Sequence, residues 1–121
     1  MSETGFLRRT IARLATSTSD LEAAELRDEA QANGCRPVTT YKDRDLVTLH
    51  GSLTAVTLRP HGGVCTLEAE LDDGSGAVTI LWLGQRRITG IAPGRAIKVS
   101  GRLSCLEGRR VMYNPRYELT A

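Results

Sequence analysis

The stretch Leu71–Gly84, LDDGSGAVTILWLG, decides the fold. Two carboxylates and two glycines stand directly before a run of apolar, largely β-branched residues that holds the only tryptophan. Glycines at 74 and 76 permit the positive backbone φ that a tight strand connection needs. Asp72 and Asp73 lack the spaced acids and distant glutamate of a calcium loop, and adjacent carboxylates repel phosphate. DDGSG therefore reads as a turn between two strands.

Working outward, VCTLEAELD (64–72) alternates cleanly. Cys65, Leu67, Ala69 and Leu71 lie on one face; Thr66, Glu68, Glu70 and Asp72 lie on the other, as in a strand with one wet side. After the turn, AVTILWL (77–83) is apolar on both faces, with Val78, Ile80 and Trp82 sharing one and Leu81 on the other. Upstream, LVTLHGSLTAVTL (46–58) alternates over a length that is too great for one straight strand. Gly51 inside it predicts a bend or bulge. RPHGG (59–63) is a turn. Downstream, GQRRITGIAPG (84–94) has room for one short helix or turn. RAIKVSGRLSCL (95–106) alternates again, Glu107–Gly108 marks a hairpin, and RRVMYNPRYEL (109–119) forms a last strand. Five strands, short loops and a bent first strand predict a mainly β domain over 46–121, a five-stranded OB-fold barrel.

The preceding residues read differently. Over 1–35 the sequence predicts one or two α-helices. Phe6, Leu7, Ile11 and Leu14 recur at helical spacing with Arg8, Arg9 and Arg13 around them. Ser19–Glu22 matches a capping box, and Asn33–Gly34 is a stop signal. RPVTTYKDRD (36–45) reads as a linker to the barrel.

A chain of 121 residues, 40% hydrophobic, can bury a core. It has no apolar run near the ~20 residues that cross a bilayer and no apolar leader, so a cytoplasmic protein without membrane contact is expected. Cys35, Cys65 and Cys105 are odd in number with no CxxC pair, which argues against a disulfide framework or zinc ribbon. His50 and His61 do not form a ligand pair. No phosphate loop or nucleophile–base arrangement stands out. We therefore expect no metal, no cofactor and no catalysis.

Charge is uneven. Residues 1–45 hold seven basic and eight acidic side chains, whereas residues 74–121 hold eight basic and two acidic. A local positive surface suits a polyanion. Arg59 falls in the first hairpin turn, and Arg86 and Arg87 follow the third strand. Lys98 and Arg102 line the polar face of the fourth, and Arg109 and Arg110 lie in the last hairpin.

The series LDDGSGAVTILWLG, IAPGRAIKVSGRL, VMYNPRYEL resembles OB-fold nucleic-acid-binding domains. The likeness runs to the OB-type wedge domain of RecG-like branched-DNA helicases and, more loosely, to the anticodon-binding OB domains of tRNA synthetases. The whole chain is similar to small stand-alone OB proteins of actinobacteria. The resemblance covers about residues 46–119. It implies electrostatic binding of single-stranded or branched DNA or structured RNA through Arg59, Arg86, Arg87, Lys98, Arg102, Arg109 and Arg110, with Trp82 and Tyr113 as stacking candidates. For Trp82 the strand period offers a competing place in the core. An alternative stays open. Glu68 and Glu70 are ill suited to a phosphate groove, and the apolar third strand beside them needs cover, which the N-terminal helices, a protein partner or a second copy would supply.

Overall fold

The turn at DDGSG forms, and it joins two antiparallel strands. The computed structural model describes the backbone of residues 3–121 and the side chains of residues 18–121. An α-helix, α1 (Glu3–Ala32), leads through a 3₁₀ turn at Val38–Thr40 into seven strands: β1 (Leu46–His61), β2 (Val64–Asp72), β3 (Ala77–Leu83), β4 (Ala96–Arg102), β5 (Ser104–Leu106), β6 (Arg109–Tyr113) and β7 (Arg116–Leu119). They form one sheet in the order β5-β6-β3-β2-β1-β4-β7. Every pairing is antiparallel except β3 with β6.

β1 serves two neighbours in succession. Residues 46–52 pair with β4 and residues 52–61 with β2, with a bulge between Leu53 and Ala55. Gly51 sits where the two ladders meet. A β-carbon there would collide with the carbonyl oxygen of Asp72, so only glycine lets β1 cross the end of β2 this closely.

The expected five-stranded closed barrel is corrected to a curled seven-stranded sheet whose ladder does not close. Two interruptions account for this. Leu103 leaves the ladder: its N–H donates to Asp45 O at 2.9 Å and its carbonyl accepts from Arg44 N–H at 2.8 Å, which separates β4 from β5. Asn114, at φ 48°, and Pro115, which has no N–H, divide the last strand into β6 and β7. The curl brings β4 and β6 into contact without a ladder between them. The insertion after β3 holds no helix; turns lay Ile88 and Ile91 against the core instead. That core is built from the inward faces, with Leu49, Leu71, Ile80, Ile97 and Met112 fully buried.

α1 is one uninterrupted helix of 30 residues, so the Ser19–Glu22 box starts no second helix. No proline or glycine interrupts residues 6–32, and serine and threonine cost a helix interior only tenths of a kcal/mol. The helix ends where Asn33–Gly34 predicts. Gly34 has φ 75°, Cys35 N–H donates to Ala30 O at 2.9 Å and Gly34 N–H to Gln31 O at 3.0 Å, the paired bonds of a Schellman cap. Among the described residues, no helix is long and apolar enough to cross a membrane. The side chains of Phe6, Leu7, Ile11, Leu14 and Arg8, Arg9 and Arg13 lie outside the described residues.

The C-terminal half of α1 seats on the β2–β3 turn. A β-carbon at Gly74 would meet Ala23 O and Arg27, and Arg27 Nη1 donates to Gly74 O at 2.9 Å. Residues 36–45 pack on the sheet, with Val38 fully buried and Tyr41 against the core. Asp73, 3% exposed, ties these parts together. Its Oδ2 accepts from Val38 N–H at 2.7 Å, and its Oδ1 accepts from Ser75 N–H, Ser75 Oγ and Gly76 N–H. Asp73→Ala strands these buried donors and should cost about 2–4 kcal/mol, read as a lower urea midpoint at unchanged m.

His50 lies beneath α1, 2% exposed, with Nε2 at 2.8 Å from Thr120 Oγ1 and Nδ1 without a partner. Burial lowers its pKa; Glu29 opposes that shift and Lys98 adds to it. The unfolded state thus binds the proton more readily. The stability is complete above the unfolded value of about 6.5 and falls as pH drops below it. The melting temperature should decline from pH 7.5 to pH 5, and His50→Gln should flatten that decline.

Candidate nucleic-acid interface

Strand alternation builds the outer face. Cross-strand partners place Thr57, Glu68, Leu81 and Tyr113 in one row across β1, β2, β3 and β6. The next row holds Ala55, Glu70, Thr79 and Val111. Two hairpins rise beside this floor. The β1–β2 hairpin brings Arg59 and His61, and the β5–β6 hairpin brings Leu106, Glu107 and Arg109. Together they enclose a groove of about 380 Å³. A smaller depression of about 170 Å³, also lined by Arg59, Glu68, Thr79 and Arg109, adjoins it and reaches Glu70.

Three contacts set its geometry. Arg59 Nε lies 3.1 Å from Glu68 Oε2. Arg109 Nη2 donates to Thr79 Oγ1 at 3.4 Å. The His61 and Tyr113 rings stand 6.4 Å apart between centroids, tilted by 53°. The carboxylate of the floor is thus matched by a guanidinium from the hairpin, and a second guanidinium faces it from the opposite wall.

No family model matches the sequence, and no curated protein matches it. Among solved structures, the chain is similar to RecG bound to a three-way DNA junction, with a TM-score of 0.58 and 21% identity over 71% of this chain and 12% of that one. The likeness shows the fold. This chain spans a small part of the length of that protein.

Of the residues expected to act together, the structure gathers Arg59, Arg109 and Tyr113 at the groove. The others lie elsewhere. Arg86 and Arg87 are exposed in the turns after β3 and do not line the groove. Lys98 Nζ donates to Asn33 O at 3.0 Å, a cation held at the C-terminus of α1. Arg102 Nη1 donates to Arg44 O at 2.6 Å. Arg110 faces away from Arg109, because β6 alternates, and its Nη1 lies over Gly76 in the β2–β3 turn.

Trp82 is corrected from stacking candidate to core residue. It is 5% exposed, packs among the inward side chains and meets the Tyr117 ring edge-on at 5.7 Å. Its face is therefore closed to a base. Glu68 was weighed only as ill suited to a phosphate groove, and Thr79 and Leu106 were not foreseen at a site. Alternation alone puts the first two on the outer face, but only the parallel β3–β6 pairing brings Arg109 to Thr79.

These placements separate stability from binding. Arg59 is 65% exposed at its side chain, and an ion pair of that kind contributes about 0–1 kcal/mol. Arg59→Ala and Arg109→Ala should unfold in urea close to the parent midpoint, whereas Trp82→Ala should lose about 3–5 kcal/mol.

Proposed function

We propose that this chain is a non-catalytic OB-type module that binds nucleic acid, either single-stranded or branched DNA or structured RNA, in the groove between its two hairpins. The observation that carries this reading is convergence. Arg59 and Arg109 come from separate hairpins, and the His61 and Tyr113 rings join them on one concave face. OB folds bind oligonucleotides across strands 2 and 3, between the loops that follow the first and fourth strands. On this reading β4 and β5 are one OB strand interrupted at Leu103, and β6 is the fifth, parallel to the third. The similar RecG structure is bound to a DNA junction, which supports the same ligand class here. Guanidinium groups grip phosphate in a bidentate manner, so the main term is electrostatic and depends on salt.

A second reading has its own support. Leu106 and Leu58 are 59% and 49% exposed on the hairpin arms, and Glu70 is exposed beside the groove, all features that a protein partner would cover.

Titration of labelled single-stranded, duplex and three-way-junction DNA and of tRNA, at several salt concentrations, decides between them. The parent should bind with an affinity that falls as salt rises. The Arg59→Ala/Arg109→Ala double variant should flatten that slope by roughly 0.7–0.9 for each phosphate it no longer neutralises. Arg86→Ala/Arg87→Ala should change it less. A double variant that binds like the parent overturns the groove assignment. A parent without affinity for any of the four overturns the nucleic-acid reading in favour of a protein partner.

A further inference from the structure

Glu68 is the group that a phosphate-binding groove does not explain. It stands at the centre of the floor, in a row with Leu81 and Tyr113, where a purely electrostatic binder gains from a neutral or basic residue. Its side chain is 27% exposed, and Arg59 Nε holds Oε2 at 3.1 Å. Among the described residues, no hydrogen bond occupies Oε1. The carboxylate is therefore paired through one oxygen and leaves the other without a hydrogen bond at the groove floor.

An ionised carboxylate accepts hydrogen bonds and donates none. Phosphate and sugar-phosphate oxygens are repelled by it. What it receives is an N–H group, and nucleobases differ in which N–H they offer. Cytosine N4, adenine N6 and the guanine N1–N2 edge each present an amino group. Thymine and uracil place a carbonyl oxygen where cytosine places its amine, and their one ring donor, N3–H, stands between two carbonyl oxygens that repel a carboxylate, so they make the poorer partner for Glu68. The rest of the groove suits a single unstacked base. Tyr113 is 44% exposed and offers a ring to stack on, Leu81 and Leu106 give apolar contact, and about 380 Å³ falls in the roughly 300–1,000 Å³ range of small-ligand sites. Arg109, steadied on Thr79, lies on the far wall, where it can take the phosphate of the same nucleotide.

Building on the nucleic-acid reading above, we infer that the groove admits one unstacked base and selects for an exocyclic amino group through Glu68. Arg59 is then a positioning residue that orients the carboxylate.

Oligo-dC and oligo-dT of equal length test this at neutral pH, because the two bases differ in that amino group. The parent should bind oligo-dC about tenfold more tightly than oligo-dT. Glu68→Gln, whose carboxamide both donates and accepts, should bring the ratio close to one without weakening total affinity. Glu68→Asp, which keeps the charge but shortens the reach, should retain part of the preference and serves if the glutamine variant does not fold. Equal binding of the two oligomers by the parent, or a preference that survives Glu68→Gln, overturns the selection while leaving the groove reading to stand on the arginine variants. A parent that binds neither oligomer nor any other nucleic acid overturns both.

Discussion

A single buried carboxylate organises the closed end of the molecule. Asp73 receives four donors, from Val38, Ser75 and Gly76, and a charge this deeply buried is tolerable only when it is fully hydrogen-bonded. Those bonds fix the shape of the DDGSG turn, and that shape presents Gly74 to α1. The same carboxylate holds the 3₁₀ turn, so the segment after the helix follows one course into the sheet. The helix seat, the plug at Val38 and the β2–β3 connection are therefore one structure. The Schellman cap continues it: Asn33 O, left at the helix end, is met by Lys98 from β4.

This closed end also determines which positive charges the molecule leaves available. Arg27, Lys98 and Arg102 each donate to a backbone carbonyl, and Arg110 lies over the turn. Their charges terminate helices and loops. Arg59 and Arg109 stand on the hairpin arms over the outer face of β2 and β3, beside the Glu68 carboxylate and the Thr79 hydroxyl. The excess of basic residues after position 74 is thus not one field. Lys98 and Arg102 are held by backbone carbonyls, Arg110 lies over the β2–β3 turn, Arg109 lines the groove, and Arg86 and Arg87 stand exposed away from it.

Much of this was legible from local pattern. The alternation of 64–72 and 77–83 set the inward face, Gly51 marked the crossing of β1, and Asn33–Gly34 marked the helix end, although Thr66 and Leu81, read as outward, are buried as well. What local pattern could not reach is contact between distant segments. Leu103 reads as the next inward residue of a strand, and it is fully buried, yet its backbone bonds to Arg44 and Asp45. Nothing near residue 103 announces that. Likewise Lys98 and Arg102 are outward-facing basic residues by period, and only the position of α1 and of residues 43–45 shows that their charges are engaged. Trp82 is the instructive case, because its own period placed it with Val78 and Ile80 in the core; aromatic identity argued for a stacking role, and packing decided against it.

That packing has a consequence for the groove. In the sheet, Leu67 pairs with Trp82, and Ala69 pairs with Ile80, which pairs in turn with Met112. These inward partners fix the register, and a slip by one residue would turn every side chain to the opposite face. Such a slip would move the indole outward and turn Leu81 to the inner face. It would also replace Glu68 at the groove floor with Leu67 or Ala69. Burial of the indole excludes that arrangement, since exposing so large an apolar side chain forfeits the transfer free energy that holds the sheet together. The tryptophan thus serves the site without touching a ligand: by occupying the core it keeps Glu68, Leu81 and Tyr113 in one outward row, and the spacing of that row follows from the strand spacing of the sheet, not from the hairpins that flank it.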